Sequence, residues 1–139
     1  MQIRTHSGAT AEPRAGEHVF FIQSHGFNAG RPLKKPIRNC WEVRTDRRAD
    51  FEILYIVYES KILMPFIGGS VIPFLRLDDY RKITAPILQN AIHENRIINA
   101  HYLQIRKIEE QMQQQDKIKK LMQELKKSLS HELFKKIKA

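Results

Sequence analysis

The fold is decided by the stretch GGSVIPFLRLDDYRKITAPI (68–87) and by the chain that follows it to LMQELKKSLSHELF (121–134). The first part is apolar and interrupted by Gly and Pro, which is typical of strand ends and turns in a compact body. The second part lacks both residues and carries apolar side chains at helical spacing, flanked by lysines. We therefore expect a compact body that leads into one long basic amphipathic helix.

Upstream of this stretch the sequence predicts short strands and one buried helix. HVFFIQ (18–23) and CWEVRT (40–45) have the β-branched and aromatic content of strands, and the second alternates apolar with charged residues. FEILYIVYESKILMPFI (51–67) is apolar almost all round, which fits either a buried helix or two strands, and its length favours a helix of about twelve residues. VIPFLRL (71–77) is predicted to be an edge strand because Pro73 cannot donate a ladder hydrogen bond. The predicted fold class is α+β.

These patterns divide the chain into three parts. Residues 1–17 are predicted to be a flexible or edge-lying arm, residues 18–87 the α+β body, and residues 88–139 the C-terminal helix. The helical stripe changes register across 112–118, which allows either one continuous helix or a hairpin that turns at Gln113–Asp116. One helix in a coiled coil is favoured because no Gly or Pro marks a turn there. The predicted partner-facing residues are Ile98, Ile105, Ile108, Met112, Leu121, Leu125 and Leu129.

Positive charge is concentrated at the two ends of the chain. The net charge of +9 divides into +4 for residues 1–50 (nine Lys/Arg, five Asp/Glu), zero for 51–104 (five of each) and +5 for 105–139 (ten and five). Such a field favours a polyanionic partner, with nucleic acid ahead of a membrane surface. The candidate nucleic-acid-binding residues lie close together in the sequence: Arg31, Lys34, Lys35, Arg38, Arg44, Arg47 and Arg48.

Two aromatic residues lie near these cations and extend the hypothesis. Phe27 and Trp41 could stack on bases or wedge between them, while the cations contact phosphates. The alternative is a solvated basic loop with Trp41 in the hydrophobic core, because a position on a loop makes binding possible without requiring it.

No catalytic, metal-binding or cofactor-binding signature is present in the sequence. The six histidines have no metal-ligand spacing, and the glycines match neither a phosphate-binding loop nor a dinucleotide fingerprint. We therefore expect a non-enzymatic protein without a metal or other cofactor. The single cysteine, Cys40, cannot form an intrachain disulfide, which favours the cytoplasm. No apolar run is long enough to span a bilayer and the N-terminus has no apolar core, so neither a membrane partner nor a signal peptide is expected.

The sequence over residues 51–134 resembles part of the specificity subunit of type I restriction–modification systems. The similar segments are FEILYIVYESK (51–61), SVIPFLRLDDYRKITAPI (70–87), HENRIINAHYLQI (93–105) and KIKKLMQELKKSLSHELF (117–134). They resemble the end of a target-recognition domain followed by its long coiled-coil helix. The resemblance implies DNA binding by the compact domain, with the helix as spacer and docking surface. A complete subunit has two recognition units, so a single unit implies dimerisation or a different use.

A second resemblance covers most of the chain. GFNAGRPLKKPIRNCWEV (26–43) and GGSVIPFLRLDD (68–79) look like an uncharacterised family of small bacterial proteins found with mobile elements. This resemblance implies no particular activity. Two hypotheses follow from the sequence: a DNA-binding module, with duplex DNA as its partner, that dimerises or docks a partner through its helix, or a protein–protein adaptor of a mobile element that binds no nucleic acid.

Overall fold

The computed structural model describes residues 1–91 and 95–139. Four strands form one antiparallel sheet: β1 (Gln2–Thr5), β2 (His18–Gln23), β3 (Pro32–Leu33) and β4 (Cys40–Thr45). Their order across the sheet is β1-β4-β2-β3. Three α-helices follow: α1 (Ala49–Glu59), α2 (Leu77–Asn90) and α3 (Asn95–Lys138). A short 3₁₀ helix, Met64–Phe66, lies between α1 and α2. The predicted α+β class is confirmed.

The sheet has one apolar face and one polar face because side chains alternate along each strand. Ile3 lies opposite Val43 in the pairing of β1 with β4, and Ile22 lies opposite Trp41 in the pairing of β2 with β4. These residues join the hydrophobic core together with residues of α1 and α2. The other face of β4 carries Glu42 and Arg44, which are fully and half buried respectively.

Part of the N-terminal segment forms a strand of the sheet. Within residues 1–17, for which the sequence predicts a flexible or edge-lying arm, Gln2–Thr5 form edge strand β1. Ile3 explains this placement, because its buried side chain fills the core opposite Val43. The partner strand is about forty residues away, so the pairing leaves no local signal in the sequence.

The helix predicted within 51–67 is confirmed as α1, which buries Ile53, Leu54, Tyr55 and Val57. The predicted strand over 71–77 is wrong. Only Phe74 pairs there, in isolated bridges with His25 and Gly68. Pro73 lacks an N–H, and Gly69 turns the chain with φ +109°, so an extended ladder does not form.

The chain enters a helix earlier than the sequence suggests. α2 begins at Leu77 and buries Tyr80, Thr84 and Leu88 at four-residue steps, with Pro86 inside the helix. The predicted start of the C-terminal helix at Leu88 therefore falls within α2, and residues 92–94 of that prediction lie outside the described residues. α3 is one continuous helix of 44 residues through Gln113–Asp116, which confirms that the helix is continuous and not a hairpin.

The chain forms two compact units, Met1–Tyr102 and Leu103–Ala139. The first unit, called the body below, contains the sheet, α1, α2 and the start of α3. Ile98 packs against the hydrophobic core of the body. The second unit is the remainder of α3.

Candidate nucleic-acid interface

Lys34 and Arg48 line the same cleft, which has a volume of about 360 Å³. Lys34 directly follows β3, and Arg48 directly precedes α1, so the end of an edge strand and the start of a helix bring the two cations to one place. Aromatic residues form much of the remaining lining. The lining residues are His18, Val19, Phe20, Phe51, Glu52 and Tyr102, besides the two cations.

The aromatic wall of this cleft is held by edge-to-face packing. The ring of Phe51 lies 5.3 Å from that of Phe20 and 6.2 Å from that of Tyr102, measured between centroids. Tyr102 also packs edge-on against Tyr55 at 5.5 Å. Edge-to-face pairs fix ring orientation, so the wall is a preformed apolar surface. Two cations beside such a surface can hold a phosphate while a sugar or base packs on the rings.

Five of the seven predicted cations have side chains that the body does not use for ion pairs. Lys34, Lys35, Arg38 and Arg48 are exposed, and Arg31 is half buried. None of the five forms an ion pair with any residue in the described ranges. A charge that has no internal partner can contact a phosphate without breaking a native interaction, which makes these five the free cations of the candidate interface.

Arg44 is placed differently, inside a network on the polar face of the sheet. Its Nε donates to Glu42 at 2.6 Å, its Nη1 to Glu17 at 2.8 Å, and its Nη2 to the carbonyl of Ala11 at 2.7 Å. All three guanidinium nitrogens therefore donate within the body. These bonds tie the segment after β1 to the sheet, and the guanidinium is not offered to a partner.

Glu42 is the centre of this network. It is 3% exposed and also accepts from Arg4 at 2.8 Å, and His6 Nδ1 lies 3.3 Å from its second oxygen. Burial alone raises the pKa of a carboxyl group, but the hydrogen bonds from Arg44, Arg4 and His6 outweigh it and lower the pKa of Glu42 to about 2. Glu42 is therefore ionised and paired at neutral pH.

Arg47 is likewise engaged within the body. It donates to the carboxylate of Asp50, which is fully buried and also accepts from the Thr45 hydroxyl. A second bond joins Arg47 to the carbonyl of Leu88 at 3.2 Å, near the end of α2. Arg47 thus neutralises a buried charge at the start of α1 and links that helix to α2.

Comparison with known proteins identifies a family without a known function. Residues 3–132 match the family of unknown function DUF6943. The chain belongs to DUF6943. No curated protein and no solved structure matches this chain. Membership of DUF6943 assigns no activity, substrate or partner.

Of the two aromatic residues that the sequence of this DUF6943 protein suggests as base contacts, one is buried and the other is exposed. Trp41 is buried in the core, with its ring 5.3 Å from that of Tyr80, so it is not available for stacking on a base. Phe27 is 89% exposed. Sequence reasoning missed Phe51 and Tyr102, which line the cleft together although one lies at the middle of the body's sequence and the other at its end. No local motif signals a pair that only the tertiary fold brings together.

The predicted partner-facing residues of α3 fall into two groups. Ile98 packs against the core of the body, whereas Ile105 is half buried. The others are exposed: Ile108, Met112, Leu121, Leu125 and Leu129, accompanied by Ile118 and Met122 at 56–66% exposure. From Ile118 to Leu129 these residues form an exposed stripe along one side of α3 within the second unit, an apolar face of the kind that helices bury against another helix.

Among the described residues, no group of three His, Cys, Asp or Glu side chains could hold a metal ion. Cys40 is buried. No helix in the described parts of this DUF6943 chain is long and apolar enough to cross a membrane.

Proposed function

We propose that this protein is a non-enzymatic DNA-binding module that contacts duplex DNA through the Lys34–Arg48 cleft and associates through α3. The observation that carries the proposal is the cleft itself, in which two cations that form no ion pair among the described residues stand beside an aromatic wall. Lys34 and Arg48 would hold a backbone phosphate, and Phe51 and Tyr102 would pack against the adjoining deoxyribose or base.

The neighbouring cations extend the surface. Lys35 and Arg38 lie exposed in the segment between β3 and β4, and Arg31 precedes β3. Phosphate contacts from these residues would fix the position of the duplex without reading its sequence. The resemblance of residues 51–134 to a target-recognition domain supports the same class of partner, as does the positive charge of the chain, +9 at neutral pH. The protein would act in the cytoplasm.

The salt dependence of duplex binding tests the proposal. If all five free cations contact phosphates, the logarithm of the binding constant should fall with the logarithm of salt concentration with a slope between about −4 and −5. The measurement is fluorescence anisotropy of a labelled duplex titrated with the full chain. Absence of binding, or binding that does not change between low and moderate salt, would contradict the proposal.

Single substitutions locate the contact. Lys34→Ala and Arg48→Ala should each weaken binding and reduce the magnitude of the slope by about 1. Lys82→Ala is the matched control, because Lys82 is an exposed cation on α2 away from the cleft lining. An equal loss in all three variants would indicate general charge attraction and contradict a role for the cleft.

A second candidate function is an adaptor of a mobile element that acts through α3 and binds no nucleic acid. The exposed stripe at Ile118, Leu125 and Leu129 favours it, since exposed apolar faces of this length mark association surfaces. Leu125→Glu with Leu129→Glu should abolish self-association or partner binding, measured by sedimentation. Gln123→Glu with Ser130→Glu adds the same charge at exposed polar positions and serves as control. Loss of association in a protein that never binds DNA would favour the adaptor.

A further inference from the structure

One end of the body combines exposed apolar side chains with an unbroken set of basic residues. We call the segments 24–39 and 60–76 the loop end; the second connects α1 to α2, and the first contains β3. The two segments carry six Lys/Arg and no Asp/Glu. Of these six, Lys34 belongs to the cleft that it lines with Arg48. Their exposed large apolar residues are Phe27, Ile37, Ile62, Met64, Phe66, Val71 and Ile72.

Backbone hydrogen bonds join the two segments into one surface. The N–H of Gly26 donates to the carbonyl of Pro73 at 2.7 Å, and the N–H of Leu75 donates to the carbonyl of Ser24 at 2.9 Å. Asn39 also joins this end, because its carbonyl accepts from both the N–H and the hydroxyl of Ser24. The loop end is therefore a single built surface and not a set of independent loops.

The same hydrogen bonds hold Phe27, Val71 and Ile72 at exposed positions. Phe27 follows the bonded Gly26, and Val71 and Ile72 precede the bonded Pro73. Phe27 and Val71 are each 89% exposed. Burying either side chain in the body would require breaking these bonds. Fixed exposure of large apolar side chains beside one another is uncommon on isolated soluble domains and indicates a binding surface.

The charge pattern selects the kind of partner. Arg38 and Arg76 are exposed in this surface, and the first acidic residues beyond it toward α1 and α2 are Glu59 and Asp78. Asp78 lies 3.6 Å from Arg81. A second copy of the loop end would bring its cations against like charges, which opposes association. The partner must offer anionic groups and an apolar phase together.

We infer that the loop end docks on an anionic lipid bilayer, with Phe27, Val71 and Ile72 entering the interface. Lys61 and Arg76, which are exposed and which the proposed DNA contact does not use, would contact lipid phosphates. Interfacial binding of this kind adds buried apolar area to attraction by anionic headgroups. DNA would satisfy the cations but offers no partner to a broad aliphatic surface such as Val71 with Ile72. The sequence-based expectation of no membrane partner rested on the absence of a spanning segment, which does not bear on the loop end.

Vesicle co-sedimentation of the full chain tests this inference. The protein should sediment with phosphatidylcholine vesicles that contain about one third phosphatidylserine, and should stay in solution with phosphatidylcholine alone. Phe27→Ser and Val71→Ser should each lower the partition coefficient at least several-fold. Both sites are exposed, so the thermal melt should remain unchanged. Ile118→Ser with Leu125→Ser removes apolar area from α3 and is the matched control, expected to have no effect.

A fluorescence readout locates the inserted residue. Phe27→Trp places an indole at the tip, and Trp41 contributes a constant background because it is buried. Anionic vesicles should shift the emission of the variant to shorter wavelength. No sedimentation with anionic vesicles would overturn the inference, as would loss of binding in the α3 variant alone. A shift produced by a DNA duplex and not by vesicles would assign the loop end to nucleic acid and would equally overturn it.

Discussion

The guanidinium of Arg44 lies 2.6 Å from the buried carboxylate of Glu42 on the polar face of the sheet. The two residues are neighbours on one side of β4, and Glu17 holds a second nitrogen of the same guanidinium. Arg44 thus has a structural role, although its position in the sequence places it among the candidate DNA contacts. Because Glu42 must be ionised to form this pair, the stability of the body depends on pH.

Stability should fall at low pH because of Glu42. Its pKa is lowered from 4.5 in the unfolded chain to about 2 in the fold, so its contribution is fully present above pH 4.5. That contribution is lost as the pH falls from about 4.5 toward 2. Urea unfolding across this range should show a decline in the free energy of unfolding that is smaller in Glu42→Gln than in the unchanged protein.

At neutral pH, Glu42→Gln should itself cost about 3 kcal/mol, since it leaves Arg44 without its buried counter-charge. Glu12→Gln is the control, because Glu12 is exposed. Equal stability of the two variants at neutral pH would contradict the role given to Glu42.

Substitutions of Arg47 and Lys34 should have opposite effects: the first should lower the stability of the body, and the second should weaken DNA binding. Arg47→Ala leaves the fully buried Asp50 without its cation and should cost about 3 kcal/mol. Lys34→Ala, at an exposed position, should leave the free energy of unfolding within about 0.5 kcal/mol. Duplex binding should show the reverse order, with Lys34→Ala the weaker binder at temperatures where both variants are folded. If Arg47→Ala instead lost DNA binding without losing stability, Arg47 would be a DNA contact and not a structural residue.

Nothing in the sequence distinguishes Arg44 and Arg47 from Lys34 and Arg48. Glu42 and Asp50, which pair with Arg44 and Arg47, lie close to them in the sequence. Their further contacts, with Glu17 and Leu88, join residues that are far apart along the chain and form only after folding. By contrast, α1 and the continuity of α3 follow from local patterns: an apolar run of helical length, and a long stretch without Gly or Pro. The strand β1 and the early start of α2 could not be predicted, because one depends on non-local pairing with β4 and the other contains Pro86.

Tyr80 should tolerate loss of its hydroxyl. It is fully buried against Trp41, burial raises its pKa, and the hydroxyl has no hydrogen-bond partner among the residues described. Tyr80→Phe removes a desolvated polar atom, so the melting temperature should stay the same or rise. Tyr58→Phe is the comparison, since the Tyr58 hydroxyl donates to Asn28 at 3.0 Å and its loss should destabilise by up to about 1 kcal/mol. A marked loss of stability in Tyr80→Phe would show that its hydroxyl is bonded.

The stability of the body should depend on a glycine at position 69 but not at position 68. Gly69 has φ +109°, and a Cβ there would collide with the carbonyl oxygen of Ile72 and the ring of Phe74. Gly69→Ala should therefore destabilise the body by roughly 2 kcal/mol or more, and should displace Val71 and Ile72. Gly68→Ala meets open space at an ordinary φ and should be tolerated. Calorimetric melts of the two variants provide the measurement, and similar melting temperatures would contradict the assigned turn geometry.

Truncation should show where the body ends. A chain that stops after Tyr102 keeps Ile98 against the core and keeps the Tyr102 ring against Phe51 and Tyr55. It should fold, and it should bind duplex DNA if the Lys34–Arg48 cleft is the contact. A chain that stops after Asn90 loses both side chains, which should cost roughly 3 kcal/mol or more of core packing and remove one wall of the cleft. Circular dichroism melts and duplex titration of the two truncated chains make the comparison. If the shorter chain were as stable and bound as tightly, neither Ile98 nor Tyr102 would have the role given to it here.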